Sequence, residues 1–351
     1  MTDSCGRGTR ERLEAREELI LHPNAARSAA SRGRRRPEAP CPIRPAFQHD
    51  RDRIIHSKSF RRLKHKTQVF LSPSGDHYRT RLTHTLEVSQ IARTISRSVG
   101  LNEDLTEAVS LAHDLGHTPF GHAGEAVLNR ISPGGFHHAL QSLRVVDLLE
   151  KGGAGLNLTE EVRDGILAHT KGFGGTLPAD GERPLTLEAE VVRVSDRIAY
   201  LNHDLDDALR AKVIAPGDLP ADIIDVLGAR HSARIDRMVR DVIGSTLGTG
   251  VTKVAMSPEV LAAVEALKEF LYRAVYENPL AHAEFRKASK VLEDLHAYYL
   301  EHPSELPEDL LALGRRGEEV TRLVCDHIAG MTDRFALSTF ERLFIPQPWE
   351  G

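Results

Sequence analysis

Aromatic residues, cysteines and excess charge are all scarce in this chain, and each scarcity removes a class of function. Aromatics make up 5% of the 351 residues, which leaves no stacking platform for single-stranded nucleic acid. The formal net charge is only -4, so no overall field advertises a nucleic-acid partner. Cys5, Cys41 and Cys325 lie far apart and form no CxxC pair, which argues against a zinc finger and suits a reducing cytoplasm. No apolar run is long enough to cross a bilayer, and no apolar signal core follows the first charges. Glu11, Glu14, Glu17 and Glu18 speak against reading the Arg- and Ser-rich start as a transit peptide. The expected location is cytoplasmic. Alternating Val/Ile/Thr/Tyr runs are few and no Asn-Gly pair joins two of them, so β structure is not expected. What remains is an ordinary globular composition, 40% hydrophobic and 27% charged, in a chain able to bury a substantial core.

Helical periodicity is widespread. Leu86, Ile91, Ile95 and Val99 fall at helical spacing between Leu82 and Val99. A second helix starts at Asn102, a good N-cap, and is stopped by Gly116. Further helices are predicted over 138–150, 159–170 and 187–210. The last of these buries Val191, Val194, Ile198, Leu201 and Leu205. Stretches near 218–243, 258–277, 280–301 and 308–331 follow, with Pro303 and Pro307 bracketing a turn. The segment from Ser31 to Pro45 reads by composition as a solvated, irregular lead-in, and the Gly- and Pro-rich stretch 172–184 as a long connection.

Four residues carry metal-ligand chemistry: His84, the adjacent pair His113-Asp114, and Asp196. Two imidazoles and two carboxylates suit Mn²⁺, Mg²⁺, Fe²⁺, Ni²⁺ or Zn²⁺, and helical bundles build such sites from inward-facing side chains of several helices. Taken singly, each is more often a hydrogen-bonded or surface group, and an HD dipeptide arises by chance. The context lifts them above that. His113 to Glu125 reads HDLGHTPFGHAGE, three imidazoles and two carboxylates punctuated by Gly and Pro. His117, His122 and Glu125 leave the helix end on a tight loop, where imidazoles titrating near neutrality suit protonation of a leaving oxygen. Glu125, three residues from His122, is placed to orient it. Asp196, Tyr200 and Asp204 form an i, i+4, i+8 stripe with Arg197 beside it. A solvated helix face is the bland explanation; a nucleotide pocket would want the same groups.

The H…HD…D signature and longer runs identify a resemblance. RDRIIHSK at 51–58, FRRLKHKTQVF at 60–70, RTRLTH at 79–84, DRIAY at 196–200 and AGMTDR at 329–334 together resemble the deoxyguanosinetriphosphate triphosphohydrolase-like proteins, relatives of the SAM-and-HD-domain dNTP triphosphohydrolases, over nearly the full chain. The resemblance implies an all-α fold: an HD-domain helical bundle with additional C-terminal helices. We divide the chain into an N-terminal lead-in at 1–47, an HD catalytic core at 48–212 and a C-terminal helical region at 213–351. It implies that His84, His113, Asp114 and Asp196 hold a divalent metal, Mn²⁺ or Mg²⁺ first, and that His122 is the catalytic imidazole with Glu125 as its partner. Arg81 would contact the α-phosphate, with His117 near the phosphates and Arg197 binding phosphate. Gln68 and Asp204 would read the sugar 3′-hydroxyl while Tyr200 stacks under the ribose. Relatives carry an Asn where this chain has Ala139; His138 remains a pocket residue. The cations of Phe60–Lys66 would either neutralise phosphate or form a solvated face.

The implied activity is metal-dependent hydrolysis of deoxynucleoside triphosphates to deoxynucleoside and tripolyphosphate. Two rivals use the same residues: a phosphodiesterase or 5′-nucleotidase of the superfamily, and a non-catalytic nucleotide-sensing oligomer. Implied partners are the dNTP substrate, an allosteric dNTP, and further copies of the chain in a tetramer or hexamer. Composition does not support a single-stranded DNA partner, and no membrane contact is expected.

Overall fold

The structure, a computed structural model, describes residues 8–68, 79–170, 176–178, 183–276 and 279–346. Among them no β-strand forms, and extended pairing is limited to the isolated bridges Arg34 with Thr159 and Thr67 with Thr80. The all-α expectation holds. In chain order the helices begin with α1 (Thr9–Ile20), α2 (Ala46–Ile55), α3 (Lys58–Arg62), α4 (Arg81–Val99) and α5 (Glu103–Ala112). Next come α6 (Gly121–Ile131), α7 (His138–Arg144), α8 (Glu160–Ala168), α9 (Leu187–Arg210), α10 (Ala221–Leu227) and α11 (His231–Gly248). The last are α12 (Pro258–Leu271), α13 (Pro279–Glu301), α14 (Glu308–Gly314), α15 (Val320–Ala329) and α16 (Asp333–Phe344).

The chain forms two compact units, each discontinuous in sequence. The first comprises Met1–His56, His84–His113 and Leu156–Glu277. Its axis is α9, whose Val191, Val194, Ile198, Leu201 and Leu205 are fully buried, each contributing about 2 kcal/mol of apolar burial. The α9 helix packs on α5, α8 and α11. Asn102 starts α5 as predicted, its side chain accepting from Asp104 N and Leu105 N. Gly165 lets α8 approach α5, since a Cβ there would lie 2.7 Å from Val109. The lead-in is not a solvated tail. Ser28 N donates to Glu17 at 2.7 Å, Arg32 N to Glu161 at 2.6 Å, and Arg34 to the buried Asp50. Composition suggested otherwise because it does not show which acidic side chains, from Glu17 and Asp50 nearby to Glu161, 129 residues on, fold back onto the segment.

The second unit comprises Ser57–Thr83, Asp114–Gly155 and Asn278–Gly351. Leu128 of α6, Leu292 and Leu295 of α13, and Val324 and Ile328 of α15 form its fully buried core. The helix predicted over 308–331 is two helices, α14 and α15, parted near Gly317 at φ 101°. In the first unit the stretch 218–243 is likewise divided at Gly228, φ 98°, into α10 and α11. Pattern alone misses these breaks because the apolar period resumes after each. The α1 helix escaped periodicity for the opposite reason: it buries no residue. The connection 172–184 lies largely outside the described residues. No helix among the described residues is long and apolar enough to cross a membrane.

Candidate metal centre and catalytic loop

Three predicted ligands meet within the first unit. Asp196 Oδ1, on α9, lies 3.1 Å from His84 Nε2 on α4 and 3.8 Å from His113 Nε2 at the end of α5. Ligand atoms about 2.1 Å from one cation stand roughly 3–3.5 Å apart, so the donors fit a shared ion. A partner at Nδ1 orients each imidazole. His113 Nδ1 donates to Ser110 O at 2.6 Å, which leaves its Nε2 lone pair facing Asp196. His84 Nδ1 lies 3.3 Å from His203 Nδ1, and His203 Nε2 lies 2.5 Å from Glu87 Oε2. If His203 carries its proton on Nε2, beside Glu87, its Nδ1 can accept from His84 Nδ1, which turns the His84 Nε2 lone pair toward Asp196.

His203, Glu87 and His169, whose ring stands 5.0 Å from that of His113, were missed by sequence reasoning. A signal existed for His203: it is seven residues after Asp196 and shares its helical face. On the same helix, Arg197 Nη1 donates to the Tyr200 hydroxyl at 2.9 Å, and the guanidinium carbon stands 5.3 Å from the ring centre. Burial pushes the Tyr200 phenol up to about 12, so it stays protonated. Asp204 is buried one turn beyond.

The remaining predicted residues belong to the second unit. Arg81, in the first turn of α4, is buried, and its Nη1 donates to Asp114 Oδ2 at 2.6 Å. His117 Nε2 stands 3.6 Å from Asp114 Oδ1. Burial first, then the Arg81 charge, hold His117 well below its ordinary range, as a neutral imidazole. Its ring stacks on His138 at 4.2 Å. His122 and Glu125 sit not on a loop but in the first turns of α6. That helix begins at Phe120, a residue in the left-handed region at φ 62°. Gly121 follows because a Cβ there would lie 3.0 Å from Gln68 O and 3.4 Å from Arg81 Nη2.

Glu125 is engaged chiefly by His138. Its Oε1 accepts from His138 N at 2.9 Å and lies 2.9 Å from His138 Nδ1, whereas His122 Nδ1 is 4.0 Å from its Oε2. Against the desolvation that would raise it, this contact holds the Glu125 carboxyl down to about 2. Packed surroundings and then the Arg81 charge lower His122 to about 4; the 59% of its side chain left open to solvent moderates the first of these. Gln68 is buried, and its Oε1 has no hydrogen-bond partner among the described residues, a cost that a ligand hydroxyl would relieve.

The basic stretch divides. Arg61, Arg62 and Lys64 are exposed, but Lys66 is buried and donates to His117 O and, at 2.7 Å, to Ala329 O. Burial lowers its ammonium to about 7. Lys66 therefore holds backbone and is not a free phosphate cation.

Comparisons with known proteins place the chain in a family. The HD domain family matches residues 81–201, and the phosphohydrolase-associated domain matches 254–342. The chain is 54% identical over 341 residues to a deoxyguanosinetriphosphate triphosphohydrolase-like protein of Caldanaerobacter subterraneus subsp. tengcongensis, covering 97% of each chain. It is 54% identical over 346 residues to one of the same name from Desulfatibacillum aliphaticivorans, covering 97% of this chain and 99% of the relative. With its HD residues gathered as described, the chain is an HD-type phosphohydrolase and belongs to the deoxyguanosinetriphosphate triphosphohydrolase-like family.

Proposed function

We propose that the protein hydrolyses deoxynucleoside triphosphates to deoxynucleoside and tripolyphosphate, with His84, His113, Asp114 and Asp196 holding one divalent metal ion. The convergence of His84 Nε2 and His113 Nε2 on Asp196 Oδ1, at 3.1 and 3.8 Å, supports this reading. Bound there, Mn²⁺ or Mg²⁺ supplies Lewis acidity toward the α-phosphoryl group and toward water. The rest of the chemistry falls to the chain's own side chains.

Arg81 and Arg197 neutralise phosphate charge, and His117 lies along the phosphate path. The Arg81 contact with Asp114 fixes a phosphate-directed cation and a metal ligand together. Gln68, with its unsatisfied buried oxygen, and the buried Asp204 accept from the sugar 3′-hydroxyl. The Tyr200 ring, held under Arg197, forms the ribose floor, and His138 lines the pocket through its stack on His117. His122 delivers the proton to the departing 5′-oxygen. In the free protein it is predominantly neutral at pH 7, and the incoming triphosphate charge raises its proton affinity. Glu125, ionised and bonded to His138, adds a fixed negative charge 4.0 Å from His122 that favours the same protonation.

The test is product analysis. Purified protein loaded with Mn²⁺ or Mg²⁺ is incubated with each dNTP, singly and mixed, and products are separated by ion-exchange chromatography. Tripolyphosphate and deoxynucleoside in equal amounts are expected. Orthophosphate from a nucleoside monophosphate, an opened cyclic nucleotide, or nucleotide-dependent assembly without turnover would replace this reading with one of the rivals.

A further inference from the structure

The run Ala329-Gly330-Met331-Thr332-Asp333-Arg334 has no part in the proposed chemistry, yet its side chains and carbonyls grip the segment that carries it. Thr332 caps α16, accepting from Phe335 N at 3.2 Å, and sets Asp333 at the helix start. Asp333 does not face solvent alone. Its Oδ1 accepts from Phe120 N at 3.0 Å, and its Oδ2 accepts from Thr67 N at 2.9 Å and from the Thr67 hydroxyl. All three residues belong to the second unit.

Each partner stands next to a functional group. Phe120 is the left-handed residue that launches α6, two positions before His122. A non-glycine residue at positive φ costs about 1–2 kcal/mol and persists only where its surroundings hold it; here a buried ring and the bond to Asp333 do so. Thr67 precedes Gln68, and the Thr67–Gln68 backbone lies against Gly121 and the Arg81 guanidinium. Lys66 ties the other end of the same loop, joining His117 O to Ala329 O. Residues 117–120 are thus gripped at both ends by 66–67 and 329–333.

We propose that Asp333 is a positioning residue: one carboxylate sets the start of α6, hence His122, in register with the Gln68 and Arg81 backbone. This rests on the hydrolase reading of His122, so the decisive measurement is made without substrate. In Asp333→Asn, one of the two accepting oxygens becomes an amide donor at nearly the same shape, so either the Phe120 or the Thr67 bonds are lost. Amide hydrogen exchange over 118–125 should accelerate at least about tenfold, while the amides of Val291–Leu295 in α13 stay unchanged.

With dNTP as substrate, the folded and metal-loaded variant should lose roughly tenfold to a hundredfold in kcat, the scale of a misplacement near 1 Å, and show a raised KM. Thr67→Val should reproduce part of this loss, Thr67→Ser should restore it, and the double variant Thr67→Val/Asp333→Asn should lose less than the sum. If Asp333→Asn does not fold, the Thr67 pair decides by the same exchange measurement. Unchanged exchange over 118–125, or a fall in activity matched by an equal fall in folded protein at constant KM, overturns the proposal. Accelerated exchange in Asp333→Asn, together with a wild-type protein that makes no tripolyphosphate, would keep the clamp and remove only the assigned reaction.

Discussion

Asp196 Oδ1 stands 3.1 Å from His84 Nε2, although 112 residues separate them in the chain. A carboxylate and an imidazole so placed, with a second imidazole at 3.8 Å, would repel or waste their lone pairs unless a proton or a cation joined them. The arrangement is of the kind that binds an ion once both histidines are neutral.

Removing a ligand should therefore remove the metal. His113→Ala and Asp196→Ala are expected to lose bound Mn²⁺ and all measurable turnover together, with metal content read by mass spectrometry. His203→Gln should behave differently. Deprived of its Glu87-oriented partner, His84 should bind metal about 10–100-fold more weakly, with kcat largely recovered at saturating metal. Equal metal affinity in wild type and His203→Gln would dismiss the orienting role.

His122→Ala should keep its metal and lose about a hundredfold or more in kcat. Its proton also sets a pH signature. A general acid is active while protonated, so rate falls as pH rises through its pKa. That pKa is low in the free protein and raised by bound triphosphate. The alkaline limb of kcat should thus lie at higher pH than that of kcat/KM, and the difference should vanish in His122→Ala.

Glu188, fully buried on α9, accepts from Ala26 N and Asn102 N, and burial raises its carboxyl from 4.5 to about 7, with the nearby Glu17 acting the same way. The folded state thus holds this proton more tightly than the unfolded chain. The contribution is full below about pH 4.5 and is lost as pH rises through about 7. Glu188→Gln, which keeps an acceptor oxygen, should flatten the stability profile across that window. A urea-denaturation series from pH 4.5 to 8 with identical slopes for both proteins would contradict this.

Gly116 closes the HD segment against α7. A Cβ there would lie 2.1 Å from Ser142 N and 2.4 Å from Gln141 C, and neither backbone atom can yield cheaply. Gly116→Ala should cost ~3 kcal/mol, the upper range for overpacking, read as a lower thermal midpoint. A variant as stable as wild type would show that α7 is free to shift.

Much of the site was legible in sequence because its residue types are rare together and because helices have a fixed period. Asp196, Tyr200 and Asp204 share a face by spacing alone, and Asn102 before Glu103 marks a helix start by capping chemistry. His203 shares a face with Asp196 by spacing, but nothing in its neighbours Asn202 and Asp204 tells which imidazole it meets. The Phe60–Lys66 cations read either as phosphate-neutralising or as a solvated face; Lys66 is neither, since nothing local reveals that its ammonium is sealed between two carbonyls. Phe120 gave no sign of launching α6, because a phenylalanine at positive φ runs against its own preference.

The chain by itself determined its helices, its caps and the identity of the HD residues, because these depend on neighbours within a turn or two. Only the tertiary structure decided which lone pairs face one another, that Glu125 bonds His138 in preference to His122, and that Asp333 reaches Thr67 and Phe120. Those contacts join residues from 13 to 266 positions apart. Their geometry follows from how the helices pack, which local sequence preference cannot encode.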